Sequence, residues 1–276
     1  MPELPEVEST RRHLEEPLVG RTVTSVEVGR PRMIRHQRIQ SDFAGRLEGR
    51  KLTALDRHGK FLLARFAGDI TLVLHLGMSG RIQLAAPDDE LAPHSNVILG
   101  FDDRVDLRLI DPRTFGFAVA LTPDELADHS VASLGPDALN ALPRSKDLAA
   151  AIGHRTAPIK SLLLDQRIIA GLGNIYADEV LHRARVHGSR AGGSLKQPEV
   201  TRLRGAIGPV LAAGLRAGGT SLDDLAYLLP DGRAGEYLDR LRVYGREGLP
   251  CRTCGTPIER SIIGQRSHFS CKTCQT

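Results

Sequence analysis

The first residues able to do chemistry are the second and third. The chain opens Met1-Pro2-Glu3-Leu4-Pro5-Glu6-Val7-Glu8, and removal of Met1 leaves proline as the N-terminus. Its nitrogen is then a secondary amine held in a ring. An α-amino group has an ordinary pKa of about 7.7–8.0, so a useful fraction is unprotonated near neutral pH. Such an amine can attack C1′ of a sugar and form an iminium (Schiff base), as catalytic lysines do with carbonyl carbons. Glu3 beside it can move protons. These residues also have a plainer reading, because proline is favoured at the start of a helix. Taken alone, the residues favour the plainer reading.

The second group is at the other end. All four cysteines stand in one pattern, Cys251-x2-Cys254-x16-Cys271-x2-Cys274. Two CxxC pairs at this separation fit a tetrahedral zinc site. Four thiolates leave no open position on the metal, so one Zn2+ here is structural. A module this short has little core, and the metal would supply much of its folding free energy. Two disulfides are the competing reading. They are disfavoured in a chain read as cytoplasmic, with no cysteine elsewhere.

These groups need elements to hold them. A chain of 276 residues exceeds one average domain and suggests two. No apolar run reaches about 20 residues, which excludes a membrane-spanning helix, and the N-terminus lacks the layout of a signal peptide. Residues 1–135 carry 17 Lys and Arg against 20 Asp and Glu, a net −3, whereas residues 136–276 carry 20 against 13, a net +7. A basic half implies an anionic partner, most often nucleic acid.

Residues 5–16 predict a short helix. From Arg21 to about Leu121 the pattern is that of strands. Val105, Leu107 and Leu109 alternate with Asp106 and Arg108, as in a half-buried strand. Phe61–Phe66, Thr71–Leu76, Val97–Phe101 and Phe115–Leu121 are further strands, and their close spacing predicts a β-sandwich or barrel. Residues 135–150 are rich in turn formers and read as a linker. Beyond them the period is helical, with helices around Ile159–Leu163, Ala177–Ala184 and Val200–Leu211, the last stopped by Gly218-Gly219.

Between the first two of these helices stands Ala170-Gly171-Leu172-Gly173-Asn174. The glycines permit a tight turn. Asn174 is placed at the N-cap of the following helix, whose N–H groups make a phosphate site. An ordinary helical hairpin reads equally well.

The opening MPELPEVE resembles the start of the formamidopyrimidine-DNA glycosylase family, and GLGNIYADE resembles its helix–two-turn–helix motif. The resemblance spans the chain, with its motifs in the same order. It implies an α+β multidomain protein: an N-terminal β-sandwich domain with a leading helix (1–134), a linker (135–150), a helix–two-turn–helix domain with a lesion-capping loop (151–241) and a zinc finger (242–276). It implies Pro2 as nucleophile, Glu3 as acid/base and Glu6 as a supporting residue. Asn174 would contact DNA phosphate, with Arg155 and Lys160 as further basic contacts. His58-Gly59-Lys60 resembles the family's loop lysine, which assists β-elimination. HLGMSG and DPRTFG are similar to the segments that fill the gap left by an extruded base, which assigns that role to Met78, Arg113 and Phe115. His94 is similar to a DNA-contact histidine. Arg266 in GQRSHFSC corresponds to the hairpin arginine that binds phosphate and aids δ-elimination.

The chain departs from the family pattern in two places besides its variable capping loop, Leu222–Arg240. His187-Gly188 stands where His-Pro is usual, and His268 and Ser270 stand where threonine and an aromatic are common. The implied activity is that of a bifunctional glycosylase and AP lyase, acting as a monomer on oxidised purines in damaged double-stranded DNA in the bacterial cytoplasm. The alternatives are the sister endonuclease VIII group, which acts on oxidised pyrimidines and tends to open MPEG, and a catalytically silent DNA-binding protein. Pro2, Glu3 and Lys60 speak against the latter.

Overall fold

In the computed structural model, residues 2–222 and 227–276 are described; Met1 and Leu225 of the expected capping loop lie outside them. The chain forms two compact units. One comprises Met1–Ser133 and Ala217–Glu236, the other Leu134–Arg216 and Tyr237–Thr276.

The first unit begins with helix α1 (Leu4–Leu18), entered from an extended Glu3. Strands β1 (Val23–Val28) to β8 (Phe117–Leu121) follow, with short helices α2 (Asp42–Gly45) and α3 (Pro123–Asp128). The strands are β2 (Leu52–His58), β3 (Phe61–Phe66), β4 (Ile70–His75), β5 (Arg81–Ala85), β6 (Ser95–Phe101) and β7 (Val105–Ile110). They make two antiparallel four-stranded sheets, ordered β1-β6-β7-β5 and β2-β3-β4-β8. Alternate residues of both sheets meet in one core, with Leu62, Leu72 and Ala118 from one sheet and Val97, Leu99 and Leu109 from the other. Val7, Leu14 and Leu18 of α1 close it. Strand spacing allowed a sandwich or a barrel, and the two sheets make a sandwich.

β7 is less simple than its alternation suggests. Its polar residues do not face water, for Arg108 is fully buried and Asp106 nearly so. They pair at 3.1 Å, and Arg108 also donates to the carbonyls of Ala86, Asp89 and Glu90. A loop covers this face, which a period-2 pattern cannot reveal.

The second unit holds α4 (Ser145–Ile152), α5 (Ile159–Leu164), α6 (Asn174–Ala184) and α7 (Gln197–Arg216), then the hairpin β9 (Glu259–Ile263) and β10 (Arg266–Ser270). The expected linker is a correction. Residues 145–152 are helical, with Leu148 and Ile152 buried, and Ala138 donates to the Ala170 carbonyl at 2.9 Å. Turn-forming residues at 135–147 open a helical unit rather than separate two. Residues 217–222 and 227–236 belong to the first unit, although the chain reaches them from α7. Among the described residues no helix is long and apolar enough to cross a membrane.

Candidate active site and nucleic-acid interface

Pro2 and Glu3 stand buried at the head of α1. The Glu6 carboxylate holds that head. One oxygen accepts the Glu3 N–H at 2.8 Å, and the other accepts the Thr220 N–H at 2.7 Å. Glu6 is therefore a tie between the helix start and the returning segment 217–236. Tyr227 makes a second tie, donating to the carbonyl of Glu6 at 3.1 Å. Burial and the nearby Glu6 raise the Tyr227 pKa, so its hydroxyl stays a donor. The Ser221 hydroxyl donates to the Tyr227 carbonyl and accepts from Gly235, and the Gly232 amide donates to Leu229. These groups hold the loop's own shape here.

Lys60 lies on the two-residue turn between β2 and β3, where Gly59 takes φ +57°. Glycine at the first turn position suits such a hairpin. Glu8 of α1 accepts from Arg57 at 3.0 Å, and Arg57 donates to the Gly59 carbonyl at 2.9 Å. The helix headed by Pro2 is thereby tied to the turn bearing Lys60. Burial would raise the Glu8 pKa, but Arg11, Arg12 and Arg57 together lower it below the ordinary carboxylate value. Glu8→Gln removes a carboxylate charge from beside the buried Arg57 and should lower the unfolding free energy by about 3 kcal/mol. A group with a depressed folded pKa stabilises above its unfolded pKa and ceases to do so as pH falls through the folded one. Denaturant melts should therefore show the full difference above pH about 5, narrowing as pH falls below about 4. A difference constant with pH would exclude the charge as its origin.

His75 is largely buried beside Phe61 and Phe117. Burial, with Lys60 and Arg35 nearby, lowers its pKa to about 4, so it is neutral at physiological pH and accepts the Gly77 N–H at 3.1 Å. Met78 and Phe115 are both exposed, at 38% and 42%, although apolar residues in a strand-rich region are core by default. Their loops are braced by Asp111, which is fully buried. Its carboxylate accepts from Ser79 at 2.7 Å, Gly116 at 2.7 Å and Arg113 N–H at 3.2 Å. Arg35 clamps the carbonyls of Phe115 and Gly116 from another side. At Gly77 a Cβ would lie 2.4 Å from the Gly116 nitrogen, so the loops meet backbone to backbone. The Arg113 guanidinium lies over the Phe115 ring, 4.8 Å from its centre. His94 is exposed, with φ +66°. The first unit thus holds Pro2, Glu3, Glu6, Lys60, Met78, His94, Arg113 and Phe115.

In the second unit the cap of α6 is Gly173, and Asn174 is its first helical residue, a correction of one position. The extended backbone of Gly173 sets the boundary. Asn174 Oδ1 is buried and meets no partner among the described residues. The turn before it is organised by Gln166, which donates to the carbonyls of Leu164 and Leu172 and accepts from Gly171. Arg155 is exposed, as is Arg266 on the hairpin. Lys160 is a second correction. It is fully buried and ion-paired with Asp178 at 2.7 Å, so it is not a surface phosphate contact. No local pattern marks Asp178, Asp111, Arg35 or Arg57, because each acts through a partner distant in sequence.

The four Sγ atoms lie within 4.8 Å of one another, with Cys254 and Cys271 at 3.4 Å and Cys251 and Cys274 at 4.0 Å. A tetrahedron with Zn–S of about 2.3 Å has an edge near 3.8 Å, so the cluster fits zinc. The Thr256 hydroxyl and N–H lower the Cys254 pKa to about 6, while burial and the other sulfurs push Cys274 up to about 12. Four sulfurs this close need a cation before all can be thiolates.

Comparison with known proteins agrees along the chain. The formamidopyrimidine-DNA glycosylase N-terminal domain matches residues 1–118, the H2TH domain of the same enzyme residues 134–225, and the zinc finger found in FPG and IleRS residues 248–276. The formamidopyrimidine-DNA glycosylases of Desulforamulus reducens and Rhizorhabdus wittichii are 41% and 43% identical, each alignment covering 100% of this chain and 99% and 100% of the relative. The crystal structure of the MutM (Fpg) protein of Thermus thermophilus has a TM-score of 0.89 at 40% identity, over 99% of this chain and 98% of that one. The Lactococcus lactis Fpg, in a complex with abasic-site DNA, has a TM-score of 0.91 at 30% identity over 100% of both chains. The protein is a DNA glycosylase of base excision repair with a structural zinc finger. It belongs to the formamidopyrimidine-DNA glycosylase family.

Proposed function

We infer that this chain excises oxidised purines such as 8-oxoguanine and formamidopyrimidines from damaged duplex DNA, and cleaves the strand by β,δ-elimination, with Pro2 as nucleophile. The observation that carries the reading is the buried Pro2–Glu3 pair at the head of α1, held by Glu6 and tied through Glu8 and Arg57 to the turn of Lys60. The Pro2 lone pair forms a bond to C1′ as the glycosidic bond breaks, and Glu3 handles protons at the sugar. Lys60 assists β-elimination. Arg266 binds phosphate at the lesion and assists loss of the second phosphate. Met78, Arg113 and Phe115 fill the gap left by the flipped base, as an exposed wedge with a guanidinium stacked on it is built to do. Asn174, Arg155 and His94 hold the DNA backbone. The protein acts as a monomer, in the cytoplasm of a bacterium.

The substrate choice has its own test. The Lactococcus lactis relative has been seen in complex with DNA containing Fapy-dG and also with DNA containing an oxidised pyrimidine. Pyrimidine excision is therefore the second reading. We expect 8-oxoguanine opposite cytosine to be excised at least ~10-fold faster than thymine glycol, a difference of about 1.4 kcal/mol in barrier. Single-turnover assays on matched duplexes measure it. Faster thymine glycol excision would place the protein with the pyrimidine-directed enzymes. Deleting the capping loop should slow 8-oxoguanine excision more than cleavage at a bare abasic site, which has no base to hold.

A further inference from the structure

Lys160 does not act where its position beside the helix–two-turn–helix turn suggested, and the reason lies in a buried polar cluster. Asp178 of α6, Lys160 of α5 and His268 of β10 are all fully buried. Three donors from two elements converge on the one carboxylate. Lys160 Nζ stands at 2.7 Å and His268 Nδ1 at 2.6 Å from Oδ1, and the Phe269 N–H donates to Oδ2 at 3.0 Å. Lys160 also donates to the carbonyl of Ser267, the residue after Arg266.

Burying a charged pair costs several kcal/mol per ion, and an apolar replacement of similar volume is often neutral or stabilising. This cluster is therefore a poor device for stability. It is a good device for geometry, because each bond is directional and fixes the hairpin strand against a specific turn of α6. That helix begins at Asn174. The hairpin strand begins at Arg266.

Gly188 belongs to the same arrangement. A Cβ there would lie 2.7 Å from the His268 ring, closer than real side chains approach. The ring of His187 stands edge-on to His268, 5.1 Å away, and its Nε2 lies 3.3 Å from the Ser270 hydroxyl. The segments 187–188 and 268–270 thus touch each other.

We propose that Asp178 is a positioning residue that locks the Arg266 hairpin to the helix headed by Asn174, so that both phosphate-binding side chains are presented to DNA as one rigid unit, with His268 and Gly188 a matched pair that makes the lock fit. This rests on the reading that Arg266 and Asn174 bind phosphate.

The deciding variant is Lys160→Met combined with Asp178→Asn in the full-length zinc protein, because Asp178→Asn alone removes the carboxylate charge from beside the buried Lys160 and threatens folding. The double variant should retain its zinc and an unfolding midpoint near that of the wild type. Hydrogen exchange at the Phe269 amide should speed up at least ~10-fold, while exchange in the β-sandwich is unchanged. Binding to a duplex with a tetrahydrofuran abasic analogue should weaken about 10-fold. The slope of log affinity against log salt should fall by about 1, as when one phosphate is no longer neutralised by the protein. Retained zinc with unchanged exchange and an unchanged slope overturns the proposal. Arg266→Ala separates the two ideas. If it too leaves the slope unchanged, the phosphate role of Arg266 fails and with it the functional part of the proposal; if it lowers the slope while the double variant does not, the positioning role alone fails. Gly188→Ala should lower the unfolding midpoint by several degrees in the wild type and by almost nothing with His268→Ala. Equal effects in both backgrounds refute the matched pair.

Discussion

Borohydride added during turnover should leave the protein covalently attached to lesion DNA, and peptide mapping should place the adduct on residue 2. Reduction converts the iminium into a stable amine, so it records which nitrogen held C1′. Pro2→Gly should lower the yield of trapped complex by at least ~10³-fold at fixed time, equivalent to about 4 kcal/mol in barrier. Retention of Met1 should have the same effect, because its peptide bond ties up the proline nitrogen. The lesion-binding surfaces remain, so affinity for an abasic analogue should change little. That pairing of abolished chemistry with retained binding distinguishes a nucleophile from a helix-start proline. An adduct mapping only to Lys60 would show that the lysine amine attacks and that Pro2 does not.

Removal of one zinc ligand should have the second large effect. Metal analysis of the reduced protein should give one zinc per chain, and Cys251→Ser should lose it. The hairpin module has a small apolar core, formed by Val243, Ile258 and Phe269 with Cys251, Cys271 and Cys274. In zinc-finger peptides of comparable size the metal contributes about 10–16 kcal/mol near pH 7. Without it the hairpin has too little buried surface to hold Arg266 in place, and binding to lesion DNA should fall at least ~100-fold, near 3 kcal/mol. The β-sandwich has its own core, from Val7 to Ala120, and should keep its far-UV signal and cooperative melt. Two disulfides and no metal in protein purified under reducing conditions would refute the zinc assignment.

The sequence alone determined what is local. The strand alternation, the helical period after residue 150 and the cysteine spacing are each set by a few neighbouring residues, and they led to a sandwich, a helical domain and a zinc hairpin. The chemistry proposed for Pro2 needs only a chain end and a ring nitrogen, but the residues alone favour a helix-start proline. The family resemblance, carried by contiguous motifs, is what proposes the remaining site residues. What only the tertiary structure decided is the set of partners that hold those residues. The resemblance sets Lys160 among the basic DNA contacts, but its ion pair is with Asp178, which lies in another helix. Asp106 and Arg108 read as solvent-facing because alternation reports a face but not what covers it. Residues 135–150 read as a linker because turn formers follow directly on the junction of the two units at Ser133 and Leu134, and local composition does not show that α4 begins within them. Glu6 to Thr220, Glu8 to Arg57 and Asp178 to His268 join segments 49 to 214 residues apart. Such bonds leave no periodic trace, because a buried carboxylate is satisfied by whichever donor the fold brings to it.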